Sequence, residues 1–357
     1  MLHSATIVSC ACNRQAVPVQ LREWDPSVAP DSEIEAWCEA YNRALAVDMP
    51  SDPAWCTDSL RGYLSVTMPA ERRISWVAEG EQPDKPTLLG HASLLMLQDL
   101  GVLELFVEPS GRRQGVGRAL LAKAARRALA EGFSSLGVEV VGGTAASQFF
   151  EAHGFRLAYN EMRSILDLST MDWLRLGEMA GAVVPGYHIE YHPGDLPNET
   201  LPAYAEAKEF RRLAPAGDLE LRPSSYDPER LRASLGTLQS RGLKPYIVLA
   251  VHERTGKVVG LTEVVVPAQR PARADQYDTV VLPEHRGYGL ARALKARMLF
   301  ELRSAEPLLR EVQTWQGSET EHLLQVNDEL GFKPDREWRE YEADSAEIAH
   351  MLSDTTH

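Results

Sequence analysis

Two glycines and two arginines stand close together in the segment GRRQGVGRALL, where a strand pattern gives way to a helix pattern. Arg112 and Arg113 precede Gly115 and Gly117, and an Ala/Leu/Arg helix pattern follows directly. Amide groups at the start of a helix have no acceptor within the helix and carry partial positive charge. Glycines let an anion approach these amides, and arginines offer forked donors to its oxygens. The segment therefore predicts a binding site for a phosphate or pyrophosphate group.

The same pattern occurs a second time, in the segment HRGYGLARALK. Gly289 lies 174 residues after Gly115, and eight of the sixteen positions from Val107 to Ala122 are identical at that spacing. A short glycine motif is weak in isolation, but here each copy follows a strand pattern and precedes an amphipathic helix pattern. A repeat of this length predicts an internal duplication of a whole domain.

The hydrophobic patterns around the two segments predict the same order of elements in both halves. In the first half, strands are predicted over 17–24, 73–78, 88–95, 102–107, 135–141 and 164–168, and helices over 31–46, 58–66, 118–130 and 145–152. In the second half, strands are predicted over 187–191, 246–251, 258–266, 277–282, 310–314 and 338–341, and helices over 198–213, 228–241, 319–329 and directly after residue 289. We expect one domain over 1–169, a linker over 170–184 and a second domain over 185–357.

These motifs resemble those of the GCN5-related N-acetyltransferases (GNATs). Each copy has a strand, a Val-x-Pro or Val-Leu-Pro step, Arg-x-x-Gly-x-Gly/Ala and a helix, and then a Gly-Phe pair about 40 residues on. The stretches SQFFEAHGF and LLQVNDELGF carry the two Gly-Phe pairs. The resemblance covers nearly the whole chain, and the arrangement of the two copies is similar to that of the tandem, two-domain members of the family.

The resemblance implies an α/β (α+β) fold, in which each domain is a mixed, mostly antiparallel sheet flanked by helices. It also implies acetyl-CoA as cofactor and direct transfer of an acetyl or small acyl group to a small-molecule amine. The residues expected at the pyrophosphate in the first copy are Arg112, Arg113, Gln114, Gly115, Val116, Gly117 and Arg118. Those of the second copy are Arg286, Gly287, Tyr288, Gly289, Ala291 and Arg292. The strand ends expected to meet the pantetheine arm are at Phe106, Val107 and Val281.

The two copies are not equal in this comparison. The first has Gly117 and Arg113 where the second has Ala291 and Gly287. We therefore expect the first copy to bind the coenzyme more strongly, and which copy carries out catalysis stays open.

Amine attack on a thioester needs a base for the ammonium proton. Glu104 and Asp278 occupy the same repeat position, three residues before Val107 and Val281, on otherwise apolar strands. They are candidate catalytic bases, and Glu263 on the neighbouring strand is a third. The alternative, that these carboxylates lie on a solvent-exposed strand face, stays open.

Both copies depart from the family at one position. Many members carry a tyrosine, four residues before the glycine of Gly-Phe, that is proposed to protonate the departing thiolate. Here that position is Phe150 or Asn327. The alternative is therefore that the protein binds or senses acyl-CoA with little or no turnover.

The composition limits the classes of partner to be expected. The 357 residues are 44% hydrophobic and 25% charged, with a formal net charge of −14, and both halves are acidic. We expect no nucleic-acid or membrane partner, a cytoplasmic location, and a preference for a cationic acceptor such as an amine. The four cysteines, Cys10, Cys12, Cys38 and Cys56, have no metal-ligand spacing, so no metal is expected. The acceptor is expected in a cleft lined by Trp37, Tyr41 and residues 48–55; its identity and the oligomeric state stay open.

Overall fold

The structure is a computed structural model, and it describes residues 19–80, 87–97, 100–210, 226–317 and 320–353. Some sequence expectations fall outside these ranges: those on Cys10 and Cys12, on residues 17–18 of the first strand, on 211–213 of one helix and on Glu319.

Twelve strands of the described residues form one sheet. The strands are β1 Val19–Trp24, β2 Glu71–Gly80, β3 Thr87–Leu97, β4 Leu100–Val107, β5 Ser135–Val141, β6 Arg156–Asp167, β7 Tyr187–Pro193, β8 Leu243–His252, β9 Lys257–Pro267, β10 Arg273–Val281, β11 Glu311–Gly317 and β12 Lys333–Asp344. Their order across the sheet is β1-β2-β3-β4-β5-β12-β6-β11-β10-β9-β8-β7. In the described part of the chain, the pairs β4–β5 and β10–β11 are parallel and the other pairs are antiparallel. The predicted mixed, mostly antiparallel α/β fold is confirmed.

Helices cover both faces of this sheet. They are α1 Asp31–Asp48, α2 Thr57–Ser65, α3 Val116–Ala130, α4 Ala145–Ala152, α5 Trp173–Gly181, α6 Leu201–Glu209, α7 Pro228–Ser240, α8 Leu290–Ala305, α9 Glu321–Leu330 and α10 Ser345–Ser353. The local sequence accounts for where several of the helices begin. In α7, Asp227 accepts the Arg230 amide at 2.8 Å and Pro228 takes the first helical position.

Alternating strand residues build two layers of core on the sheet. In β8, Val248 packs in the cluster that contains α8, whereas Ile247 and Leu249 pack in the cluster that contains α6 and α7. In β2, Trp76 faces α3 and Val77 faces α1 and α2. Both halves therefore have a glycine-initiated helix on one face and an earlier helix pair on the other, as the duplication predicts.

The two halves exchange their last strands. β12 lies between β5 and β6, and β6 in turn pairs with β11. The helices that follow are exchanged in the same sense: α10 packs on α3, and α5 packs on α8. Residues 170–184, expected to be a linker, thus include α5, whose Leu176 is buried in the core of the second half. The boundary between domains stays a prediction.

The largest differences from the sequence expectations lie in these exchanged strands. β6 begins at Arg156 and β12 at Lys333, both earlier than predicted. Their first residues are polar or exposed, with Leu157 half exposed, so hydrophobic alternation does not mark them. The pairing of β6 with β12 holds them in strand conformation instead.

No helix of the described residues is both long and apolar enough to cross a membrane.

Candidate active site

The two glycine turns have the same backbone conformation. The residues before α3 and α8, Gly115 and Gly289, have φ angles of 84° and 78°. Two positions earlier, Arg113 has φ 62° and Gly287 has φ 84°. The left-handed region costs glycine little and other residues more, so the second copy has the less strained residue at this position.

Each turn presents amides toward the space in front of its helix. The first helical bond of α3 runs from the Ala119 amide to the Gly115 carbonyl at 2.9 Å, and that of α8 from Ala293 to Gly289 at 3.0 Å. The amides of the first helical residues have no acceptor within either helix. Both helix starts therefore have the donors that the sequence predicted for a pyrophosphate.

The neighbouring parallel strands part beside each turn. β4 pairs with β5 only from Leu100 to Val102, and β10 pairs with β11 only from Arg273 to Gln276. Beyond these points each pair leaves a gap that leads toward its turn. The second copy also has a register shift between Gln276 and Thr279, whereas the β3–β4 ladder runs without one.

A cavity of about 700 Å³ lies at the end of β10 in the second copy, in front of the turn. Its walls come from the end of β10, the turn, the start of α8, and α9. The residues expected at the coenzyme that line it are Val281, Arg286, Gly287, Gly289, Ala291 and Arg292. Tyr288 lies on the same turn with its side chain 60% exposed.

In the first copy, Gly117 takes the position of Ala291 and lies near a larger residue of α4. A side-chain carbon at Gly117 would lie 3.4 Å from both the Phe149 ring and Val107. The second copy has the larger Ala291 with the smaller Val326 nearby, and both line its cavity. The two copies thus differ in where the larger side chain lies: on α4 in the first copy, where the helix start has glycine, and at the helix start in the second, where α9 has only valine.

The first arginine of each motif holds the turn to the strand before it. Arg112 donates from Nε to the Val107 carbonyl at 3.1 Å, and Arg286 does the same to Val281 at 3.2 Å. The other two nitrogens of Arg112 are bonded to Asp48 at 2.8 and 2.7 Å. Arg286 faces the cavity instead.

The remaining residues expected at the coenzyme in the first copy have varied surroundings. Phe106 packs against Trp37 and Tyr41 of α1, with ring centres 4.9 and 5.4 Å away. Gln114 donates to the Ser110 carbonyl at 2.6 Å. Val116 is buried in the core, and the Nη2 atom of Arg118 is buried without a hydrogen-bond partner among the described residues.

Glu104 lies in a small polar cluster on β4. Its carboxylate accepts from Ser93 at 2.7 Å and from the Tyr63 hydroxyl, and Arg73 lies 3.8 Å away. Burial, followed by the charge of Glu104, raises the pKa of Tyr63, so the phenol stays protonated and donates. Glu104 therefore has two hydroxyl donors and one buried cation around it.

Asp278 and Glu263 share one cation in the second copy. Lys208 lies 3.1 Å from Asp278 and 2.6 Å from Glu263, and Tyr204 also donates to Glu263. Burial and the nearby charge of Asp278 raise the pKa of Glu263 well above its ordinary value. The structure thus brings these two predicted bases together, and Lys208 stabilises the charge that they share.

The two positions where the family has tyrosine are buried. Phe150 packs edge-on to Phe155, with ring centres 5.0 Å apart. Asn327 accepts from the Lys295 ammonium at 2.6 Å and donates to Gln316 at 2.7 Å. Burial lowers the pKa of Lys295 to about 7. Sequence reasoning did not single out Lys295, although a lysine where the first copy has Leu121 was a visible signal.

Residues of the expected acceptor cleft lie around a second cavity, of about 280 Å³, between the two halves. Tyr41, Asp52 and Trp55 line it, while Trp37 is buried behind Tyr41 at a ring distance of 5.1 Å. We call this space the central cavity.

Comparisons with known proteins agree with this fold and site. Residues 71–157 match the acetyltransferase (GNAT) domain family. A tandem GNAT protein from the clavulanic acid biosynthesis pathway superposes with a TM-score of 0.78 at 26% sequence identity, over 92% of this chain and 99% of that one. A GCN5-related N-acetyltransferase from Sphaerobacter thermophilus has the same fold, with a TM-score of 0.67 at 17% identity, over 92% of this chain and 97% of that one.

No protein with a curated description matches the chain significantly. Residues 71–157 nevertheless match a GNAT domain, and the fold of the chain has the arrangement of a tandem GNAT protein.

Proposed function

We propose that this protein transfers an acetyl or other small acyl group from coenzyme A to a primary amine. One observation carries the proposal: in both copies, an open helix start lies beside the point where two parallel strands part. The amides suit the pyrophosphate, and the gap suits an extended pantetheine arm. The cavity of about 700 Å³ in the second copy supports the same assignment.

The chemistry follows from the residues at the gap. The amine nitrogen attacks the thioester carbonyl, a C–N bond forms, and the C–S bond breaks. The ammonium proton passes to a carboxylate, for which Glu104 is the better candidate because its hydrogen-bond donors Tyr63 and Ser93 are neutral and its nearest cation, Arg73, lies 3.8 Å away. Asp278 instead lies 3.1 Å from the ammonium of Lys208, which also contacts Glu263.

A second candidate function is acyl-CoA binding without turnover. It is favoured by Phe150 and Asn327, because neither supplies a hydroxyl to the leaving thiolate. The thiolate of coenzyme A is a stable leaving group, so the missing hydroxyl does not by itself exclude transfer.

Release of free thiol from acetyl-CoA, measured with a panel of amines, tests the transfer. We expect release that depends on the amine. Tight binding of acetyl-CoA in calorimetry with no release for any amine would favour the second function. The calorimetric stoichiometry also counts how many turns bind coenzyme.

A further inference from the structure

The central cavity has an unusual charge for this acidic chain. It lies where α1 and α2 of the first half meet β10, β11 and the β9–β10 turn of the second. Two carboxylates line it, Asp52 and Asp275. Against these, the lining arginines are Arg163, Arg241, Arg270 and Arg273.

Both carboxylates already have partners. Asp52 accepts two bonds from Arg163, at 2.6 and 2.8 Å, and lies 3.4 Å from Arg273. These partners outweigh the effect of burial and hold the pKa of Asp52 below its ordinary value. Asp275 accepts from Gln313 at 2.6 Å. Arg163 and Arg273 are thus committed to the protein's own acids.

Arg270 and Arg241 are less closely paired: the charge of Asp275 acts on Arg270 and that of Glu71 on Arg241, but in the described part of the chain neither carboxylate is hydrogen-bonded to them. Among the described residues, Arg270 has no carboxylate within 4.0 Å; its guanidinium lies over the Trp55 ring at 4.1 Å, and its Nε is buried without a partner. Arg241 donates Nε to the Val66 carbonyl, but its Nη2 is unbonded and 4.0 Å from Glu71. Burial lowers the pKa of both groups. A buried cation without an acceptor costs free energy that a bound anion would recover.

Two indole N–H groups are further hydrogen-bond donors at the cavity without acceptors among the described residues. The Nε1 atoms of Trp315 and Trp338 are buried and have no acceptor among the described residues. Their rings lie edge to face, 5.9 Å apart, at the wall of the cavity. Flat aromatic walls and forked arginine donors suit a planar anion such as a carboxylate.

One wall residue of the cavity contacts a carboxylate that is a candidate base. Tyr63 lines the cavity and donates its hydroxyl to Glu104. A small molecule held here with an anionic group at Arg270 would have Tyr63, and behind it Glu104, on another wall of the same cavity. The volume of about 280 Å³ fits a molecule of amino-acid size.

We propose that the central cavity is the acceptor site and that it selects an amine which also carries a carboxylate, an amino acid or a close derivative, with Arg270 as the carboxylate anchor. The assignment rests on the proposed acyl transfer. It differs from a site for a simple cationic amine, which the overall net charge of −14 favours.

The test compares matched pairs of acceptors: glycine, leucine, phenylalanine and tryptophan, each as the free acid and as the carboxamide. Two readouts are used, thiol release from acetyl-CoA and calorimetric binding of the acceptor to the protein loaded with coenzyme A. We expect at least one acid to bind and react about tenfold or more better than its amide, because a charged hydrogen bond is lost in the amide.

Substitutions identify the anchor. In Arg270→Ala we expect the preference for the acid to disappear through a higher KM for the acceptor, with the KM for acetyl-CoA unchanged. Arg254→Ala, on the exposed turn between β8 and β9, removes the same charge away from the cavity and should keep the preference. Thermal melting checks folding; if Arg270→Ala does not fold, Arg270→Lys replaces it and should retain a reduced preference.

The outcomes separate the two proposals. Acids that bind in preference to amides without any thiol release would contradict acyl transfer and leave the acceptor site standing. Amides that bind and react as well as the acids, an unchanged preference in Arg270→Ala, or better turnover of phosphoethanolamine than of any amino acid would overturn the carboxylate site.

Discussion

The two copies share a backbone plan but use their polar groups differently. In the first copy, Arg112 is tied to Asp48, and Glu104 has neutral hydroxyl partners beside the central cavity. In the second copy, Arg286 faces an open cavity, and Asp278 is paired with Lys208. Duplication preserved the geometry that suits a coenzyme, while the groups suited to proton transfer diverged. We infer that coenzyme binding and catalysis are distributed unequally between the copies.

The largest expected effect comes from blocking the glycine turn of one copy at a time. Gly117→Glu places bulk against Phe149 and a carboxylate where phosphate is expected, and Ala291→Glu does the same at the second turn. Each should weaken coenzyme binding at its own copy by more than about 100-fold, because like charges brought together cost several kcal/mol. Calorimetric stoichiometry measures the loss.

Gly181→Glu is the matched control, since nothing lies within 4 Å of a side-chain carbon there. If all binding survives Gly117→Glu, the first turn is not a coenzyme site. The same result for Ala291→Glu would exclude the second turn.

Next in size is the removal of each candidate base. We expect Glu104→Gln to lower kcat by about 100-fold, a typical contribution of a general base. Asp278→Asn should lower it by less than about tenfold, since Asp278 is engaged in an ion pair with Lys208 at 3.1 Å. Steady-state kinetics with the same acceptor decide between them. A larger loss in Asp278→Asn would move catalysis to the second copy.

A smaller effect concerns the buried lysine of the second copy. The folded pKa of Lys295 is about 7, below the value of 10.5 for a free lysine. Between these values the unfolded chain binds the extra proton, so stability should rise with pH, by at most about 1.4 kcal/mol per pH unit. Lys295→Leu, which copies Leu121, should flatten this rise between pH 7 and 9.

Urea unfolding at several pH values measures the slope. The slopes are compared rather than the absolute stabilities, because the leucine also removes the donor to Asn327. Equal slopes in both proteins would mean that Lys295 stays charged in the fold.

The smallest expected effect tests the strain in the first turn. Arg113 has φ 62°, and the second copy has Gly287 at this position. Arg113→Gly should raise the free energy of unfolding by about 1 kcal/mol by relieving that strain. Coenzyme affinity should fall, because a cation leaves the phosphate site. If urea unfolding gave Arg113→Gly a lower free energy of unfolding than the unchanged protein, Arg113 would not be strained in the fold.

Local signals in the sequence were sufficient for most elements. Both glycine turns lie where their motifs predicted them, and β5 and α4 have the predicted bounds. Phe150 and Asn327 were also visible as departures. These features depend on residues a few positions apart, for which conformational preference and periodicity are informative.

Contacts between distant segments were not predictable in this way. Nothing in β6 or β12 specifies an exchanged partner, because antiparallel ladders use backbone groups that every strand possesses. Likewise, the pairing of Lys208 with both Asp278 and Glu263 joins three separate elements.

The sequence by itself determined the duplication, the order of elements, the two glycine turns and the missing tyrosines, since each is written in neighbouring residues. Tertiary structure alone decided which side chains meet: Glu104 with Tyr63, and Arg270 with Trp55 beside an arginine-lined cavity. The physical reason is that burial and charge pairing arise only where remote segments pack, and these set which carboxylates are paired with a cation and which arginines are not hydrogen-bonded to a carboxylate.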